Sequence, residues 1–83
     1  MPHANLIRTL AWYELDPGDS FVDEVELKGA DLQSLQLIFA ANPDDLMYDC
    51  FPVNLAHVTQ LRAYVDIEID LTAYAYFVEC RTK

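Results

Sequence analysis

The spacing of apolar residues changes several times along the chain, and each change marks an element. From Asn5 to Leu15 (NLIRTLAWYEL) apolar residues fill both alternating sets: Leu6, Leu10 and Trp12 in one, Ile7, Ala11 and Tyr13 in the other. Aromatic, β-branched and leucine content suits a strand, and a strand apolar on both sides belongs inside a sheet rather than at its edge. Asp16-Pro17-Gly18-Asp19-Ser20 breaks the pattern. Proline presets φ and glycine permits a positive value, so a turn is predicted. Phe21–Lys28 (FVDEVELK) then alternates. Phe21, Val25 and Leu27 are expected inward, with Asp23 the exception, and Val22, Glu24, Glu26 and Lys28 outward. The two segments read as an antiparallel hairpin.

Beyond Gly29 the period becomes helical. Asp31 is a suitable N-cap, and Leu32, Leu35, Ile38 and Phe39 form one stripe of a helix reaching Ala41, with Leu37 on the opposite side. Asn42-Pro43 stops it. Asp44–Val53 (DDLMYDCFPV) reads as irregular chain packed onto the body. Asn54 can cap a second helix over Leu55–Val65, whose buried stripe would be Val58, Leu61, Tyr64 and Val65 with His57 among them. A third strand is predicted over Leu71–Arg81. One face carries Leu71, Ala73, Ala75 and Phe77, and the other Thr72, Tyr74, Tyr76, Val78 and Cys80. Small alanines let a helix approach closely, which places both helices over Ala73 and Ala75 and leaves Tyr74 and Tyr76 on the open side. The expected fold is therefore an α+β two-layer sandwich, one domain over residues 1–83 in the order β-β-α-α-β. Its sheet would be three-stranded and mainly antiparallel, with two helices on one face and the first strand between the other two. The direction of the third strand is left open.

Composition narrows the function classes. The chain has 83 residues, of which 53% are hydrophobic, and a formal charge of −9. That hydrophobic share supports a core and argues against an acidic disordered tail. Fourteen acids against five bases disfavour nucleic acid and anionic membranes as partners. No apolar run approaches the ~18–20 residues of a membrane span. The start of the chain, MPHANLIRTLAWYELD, lacks the pattern of a secretion signal, so a cytoplasmic location is expected.

Chemistry is sparse. Cys50 and Cys80 read as two reduced, mostly buried thiols. Cys50 and His57 would be the one conceivable nucleophile–base pair, and their spacing matches no motif. His57 on an apolar helix face reads as a boundary residue bonded to backbone. Asp44, Asp45 and Asp49 lack the alternating ligands and central glycine of a calcium loop. Neither a catalytic residue, a metal nor a cofactor is expected, and the chain is not read as an enzyme. The acids gather in two runs flanking the second helix, Asp44/Asp45/Asp49 and Asp66/Glu68/Asp70, with Arg62 the nearest base and with Tyr48 and Tyr64 beside them. Two accounts stand open: plain solvated acids, or a surface selected for a basic partner, whose association such charge accelerates. On the second account the partner-binding residues are Asp44, Asp45, Tyr48, Asp49, Tyr64, Asp66, Glu68 and Asp70.

The chain resembles a family of small uncharacterised bacterial domains of about this length. The resemblance runs from about Leu6 to Arg81. It rests on Trp12-Tyr13, on Glu24-Val25-Glu26-Leu27-Lys28-Gly29, on the stretch from Leu46 to Val53 (LMYDCFPV), on Tyr64 to Leu71 (YVDIEIDL) and on Tyr74-Ala75-Tyr76-Phe77. The family has no established activity to carry over. In size and acidity the chain is similar to immunity proteins, which neutralise toxins encoded beside them. That similarity implies a cytoplasmic inhibitor of a basic toxin domain, such as a nuclease. The alternative is a structural module that homodimerises or docks through an aromatic sheet face.

Overall fold

The computed structural model describes residues 6–15, 20–47 and 49–82, apart from the side chains of Leu6 and Thr82. The elements are β1 (Leu6–Glu14), β2 (Phe21–Glu26), α1 (Leu32–Ile38), β3 (Phe51–Pro52), α2 (Leu55–Leu61) and β4 (Tyr74–Thr82). The fold is α+β, with a sheet of strand order β2-β1-β4-β3 in which every pairing is antiparallel. β1 lies between β2 and β4, as a strand apolar on both sides requires. The predicted turn at Asp16–Asp19 lies outside the described residues; Glu14 N–H donates to the Ser20 carbonyl (2.9 Å) on either side of it.

The sheet has four strands rather than the expected three, and the order is β-β-α-β-α-β. Phe51-Pro52, read above as irregular chain, pairs with Val78 and Phe77 at the outer edge of β4. Two residues carry no detectable alternation, and proline is tolerated at an edge because its missing N–H is not needed there. The direction of the last strand is resolved by its register on β1, from Leu6↔Thr82 to Glu14↔Tyr74. It begins at Tyr74; Leu71–Ala73 form a turn instead of strand.

The helices cover the face opposite to the one the alanines suggested. The pairs Leu10↔Val78 and Trp12↔Tyr76 put Tyr74, Tyr76 and Val78 on the side of Leu10 and Trp12. This side joins Leu35 of α1 and Val58 and Leu61 of α2 in one core with Leu27, Met47, Val53 and Ile69. Area decides the outcome: covering Trp12, Tyr74 and Tyr76 removes far more apolar surface from water than covering two alanines. Tyr76 is buried without orphaning its hydroxyl, which accepts the Asp70 N–H at 3.1 Å.

Phe21 also changes sides. The β1–β2 register runs Trp12↔Asp23 and then Tyr13↔Phe21, a bulge that leaves Val22 extra and puts Phe21 beside Tyr13 on the outer face. Leu27 N–H donates to the Arg8 carbonyl. By antiparallel alternation, the backbone groups of Glu24 and Glu26 therefore point away from β1, at the free edge. The Asp23 carboxylate accepts the Glu24 N–H at 2.8 Å. The acid that broke the inward pattern thus occupies an edge donor that another strand would otherwise seek.

Both helices are seven residues long, shorter than predicted, and depend on their caps and on the core they touch. Asp31 accepts the Ser34 N–H at 2.8 Å, as expected. At the other end of α1, Ala41 N–H bonds to the Gln36 carbonyl and Ala40 N–H to that of Leu37, a Schellman closure. It requires the left-handed region, which Ala40 occupies at φ 53°. Met47 sits at φ 55°, held by its own burial and by its N–H bond to the Asp45 carboxylate. A methyl group at left-handed φ costs more than glycine's extra chain entropy. Ala40→Gly should therefore stabilise the protein by about 0.5–1 kcal/mol. Thermal unfolding should show this as a rise of roughly 2–8 °C; an unchanged or lower midpoint would contradict the strain at this closure.

Candidate functional site

The predicted acidic residues separate into two kinds. In the loop after α1, Asp44 and Asp49 are exposed. Asp45 is half-buried, its carboxylate bonded to Met47 N–H (2.8 Å) and its carbonyl to the Gln36 amide (2.8 Å). Arg8 secures the same loop by donating to the Leu46 carbonyl (2.9 Å), while its other terminal nitrogen lies 3.0 Å from the Cys80 sulfur. Tyr48 lies outside the described residues. After α2, Asp66, Glu68 and Asp70 are exposed. Asp70 accepts both the N–H (3.0 Å) and the hydroxyl (2.5 Å) of Thr72, and these bonds hold its carboxyl below the usual range. Asp45 and Asp70 are thus turn-forming residues, and Asp44, Asp49, Asp66 and Glu68 are the acids left to solvent. Tyr64 is half-buried against the core, where its N–H closes the turn after Leu61 (2.9 Å).

The fold does not gather the two runs. Asp49 leads into β3 at one edge of the sheet. Asp66 lines a cleft with Val25, Glu26 and Lys28 at the β2 edge, so tertiary contact brings Lys28 toward a run whose nearest base in sequence is Arg62.

A different cluster forms on the outer face of the sheet, which neither helix covers. Tyr13 donates its hydroxyl to Glu79 Oε2 at 2.6 Å, across 66 residues of chain. Arg81 Nε lies 2.6 Å from Glu24 Oε1, and its Nη2 lies 4.0 Å from Glu79 Oε1. Phe21 and Phe77 meet the Tyr13 ring edge-on, at 5.7 and 5.6 Å. Glu79 is 9% exposed, Thr9 2% and Ala11 0%, although all three point away from the core. The sequence offered only a weak signal for this cluster. Glu79 and Arg81 alternate with Val78 and Cys80, but which acids and rings stand beside them depends on the register of three strands.

The Tyr13 phenol is held protonated near neutrality. The hydrogen bond to Glu79, then burial, then the Glu79 charge push the Tyr13 hydroxyl up to about 12. Cys50 is exposed as a residue rather than buried as expected. Partial burial of its sulfur and then neighbouring Glu79 push the thiol up, which keeps it protonated. Its electrostatic neighbours are Glu79, Asp49 and Arg81, not His57. His57 has a structural role. Its Nδ1 accepts the Asn54 N–H (3.1 Å) in a capping box, and its ring lies 4.2 Å from that of Phe39. Among the described residues, no group of three or more His, Cys, Asp or Glu side chains could hold a metal ion. No helix among them is long and apolar enough to cross a membrane.

Burial holds the His57 pKa below its ordinary value. A folded state that resists protonation loses stability as pH falls through the unfolded value of about 6.5. Protonation also removes the Nδ1 acceptor, so α2 loses part of its cap. Unfolding midpoints should fall between pH 7 and pH 5. His57→Gln keeps an acceptor at this helix position and removes the titration. The variant should flatten that pH dependence, and an equally steep loss in it would assign the effect to other groups.

No curated protein matches this chain. One family model, described as Domain of unknown function (DUF7683), matches residues 7–79 and so takes in every element from β1 to most of β4. The chain belongs to that family of small domains of unknown function.

Proposed function

We propose that this protein is a non-catalytic binding domain for a basic protein, acting in the manner of an immunity protein that covers the cationic substrate surface of a toxin domain. The observation that carries the reading is the state of the acids. Asp44, Asp49, Asp66 and Glu68 are exposed and enter no ion pair among the described residues, whereas Glu24 and Glu79 both pair with Arg81. Uncompensated charge of one sign opposes compaction, and a small domain has little stability to offset it. The same charge steers a basic partner and speeds its docking. No bond is made or broken in such an activity, which accords with hydroxyl and thiol groups held away from neutrality.

The distinction between turn-forming and free acids sharpens the test. Asp44→Lys with Asp49→Lys, and Asp66→Lys with Glu68→Lys, should retain the fold. Each pair should slow association with a basic product of the adjacent reading frame by roughly tenfold or more at low salt, and flatten its salt dependence. Asp45→Lys and Asp70→Lys should instead lower the unfolding midpoint. Unchanged association rates in both double variants would refute the assignment of these acids to binding.

A further inference from the structure

The outer face of the sheet divides into two halves. Toward the β1–β2 turn it is apolar, with Ala11, Tyr13, Phe21, Ala75 and Phe77; Phe21 is 51% exposed and Leu15, just beyond β1, 48%. Toward the other end it is acidic, with Glu24, Glu26 and Glu79 and the single base Arg81. Both helices pack on the opposite side, and on this one Cys50, just before β3, reaches Glu79. The rings of Phe21 and Phe77 meet that of Tyr13 edge-to-face, and Glu79 accepts the Tyr13 hydroxyl. The acidic half also holds a polar group without a partner: the Thr9 hydroxyl, buried between Glu26 and Glu79 in the strand register, makes no hydrogen bond.

We propose that this face is a docking surface for a cationic, amphipathic protein segment. Its apolar side chains rest on Tyr13, Phe21 and Phe77, and its arginine or lysine groups meet the exposed Glu26 and the part-exposed Glu24. The inference rests on the basic-partner reading for the sign of the partner's charge, and adds the surface and the partner's amphipathic character. Charge selects the occupant. A second copy would bring the same excess of carboxylates against this face, and like charges in apposition suppress pairing. A purely apolar partner would bury the exposed Glu26 carboxylate without solvent or counter-charge. A cationic segment satisfies both halves, and rigid aromatic anchors limit the ordering cost of binding. The Asp23 carboxylate over the Glu24 N–H disfavours entry as an added strand at the β2 edge, so the segment lies across the face.

The test titrates the isotope-labelled full chain with two synthetic peptides of equal positive charge, one alternating arginine and leucine and one of arginine alone. The alternating peptide should bind about tenfold more tightly and shift the amide resonances of Ala11, Tyr13, Ala75 and Phe77. Phe21→Ser, at a half-exposed position, should remove most of that preference, and Glu26→Gln should lower its salt dependence. Shifts confined to residues 44–47 and 66–70 with both peptides would overturn the sheet-face proposal and leave the basic-partner reading standing. Failure of both peptides to bind would overturn both. A concentration-dependent dimer in sedimentation that Phe21→Ser converts to monomer would make a second copy the occupant and overturn the proposal.

Discussion

The antiparallel pairing of β1 with β4 is the constraint on which the rest of the molecule depends. It joins the first and last described elements over nine residues each and fixes what every side chain of both strands faces. Leu10 opposite Val78 and Trp12 opposite Tyr76 build the floor of the core, and Leu10 and Val78 are almost completely buried. Neither seven-residue helix could persist alone in water; each is stabilised by end caps and by the floor it covers. A slip of one residue would exchange the two faces, setting Glu79 and Arg81 under the helices and Tyr76 in water. The Tyr76 hydroxyl on the Asp70 N–H and the Tyr13 hydroxyl on Glu79 bond opposite faces of the sheet, so both disfavour such a slip.

The same pairing creates the second face as a by-product. Central strands apolar on both sides leave a surface that the helices cannot reach, and this chain clothes it unevenly. Rings cover one half; the other holds carboxylates around one arginine. The Tyr13–Glu79 bond lies where they meet, and its effect on the phenol is to suppress ionisation rather than to prepare it for chemistry.

The acids as a group serve three ends. Asp23, Asp31, Asp45 and Asp70 bind backbone N–H groups at an edge, a helix start and two turns. Glu24 and Glu79 are engaged by Arg81 and Tyr13 on the outer face. Glu14, Glu26, Asp44, Asp49, Asp66 and Glu68 are exposed and enter no ion pair among the described residues. A charge of −9 is therefore no uniform property, and the case for a basic partner rests on the last two groups.

The sequence by itself determined the class of fold, the position of β1 inside the sheet, both helix caps and the outward side of Leu37, which is 78% exposed. These follow from local periodicity and from side chains that reach backbone groups a few residues away. The backbone bond at His57 was legible for the same reason. Only the tertiary structure decided which face of β4 the helices cover, because Ala75 and Tyr76 differ by one position in a pattern that is apolar on both sides. It alone added the two-residue strand β3, which is too short for any period, and moved Phe21 across the sheet through a bulge that alternation cannot encode. It alone divided the acids, since Asp45 and Asp70 are told from Asp44 and Asp66 by hydrogen bonds that depend on turn geometry. The Tyr13–Glu79–Arg81–Glu24 cluster lay furthest beyond reach of the sequence. Its members come from three strands, and register, which is set by the whole core, is what makes them neighbours.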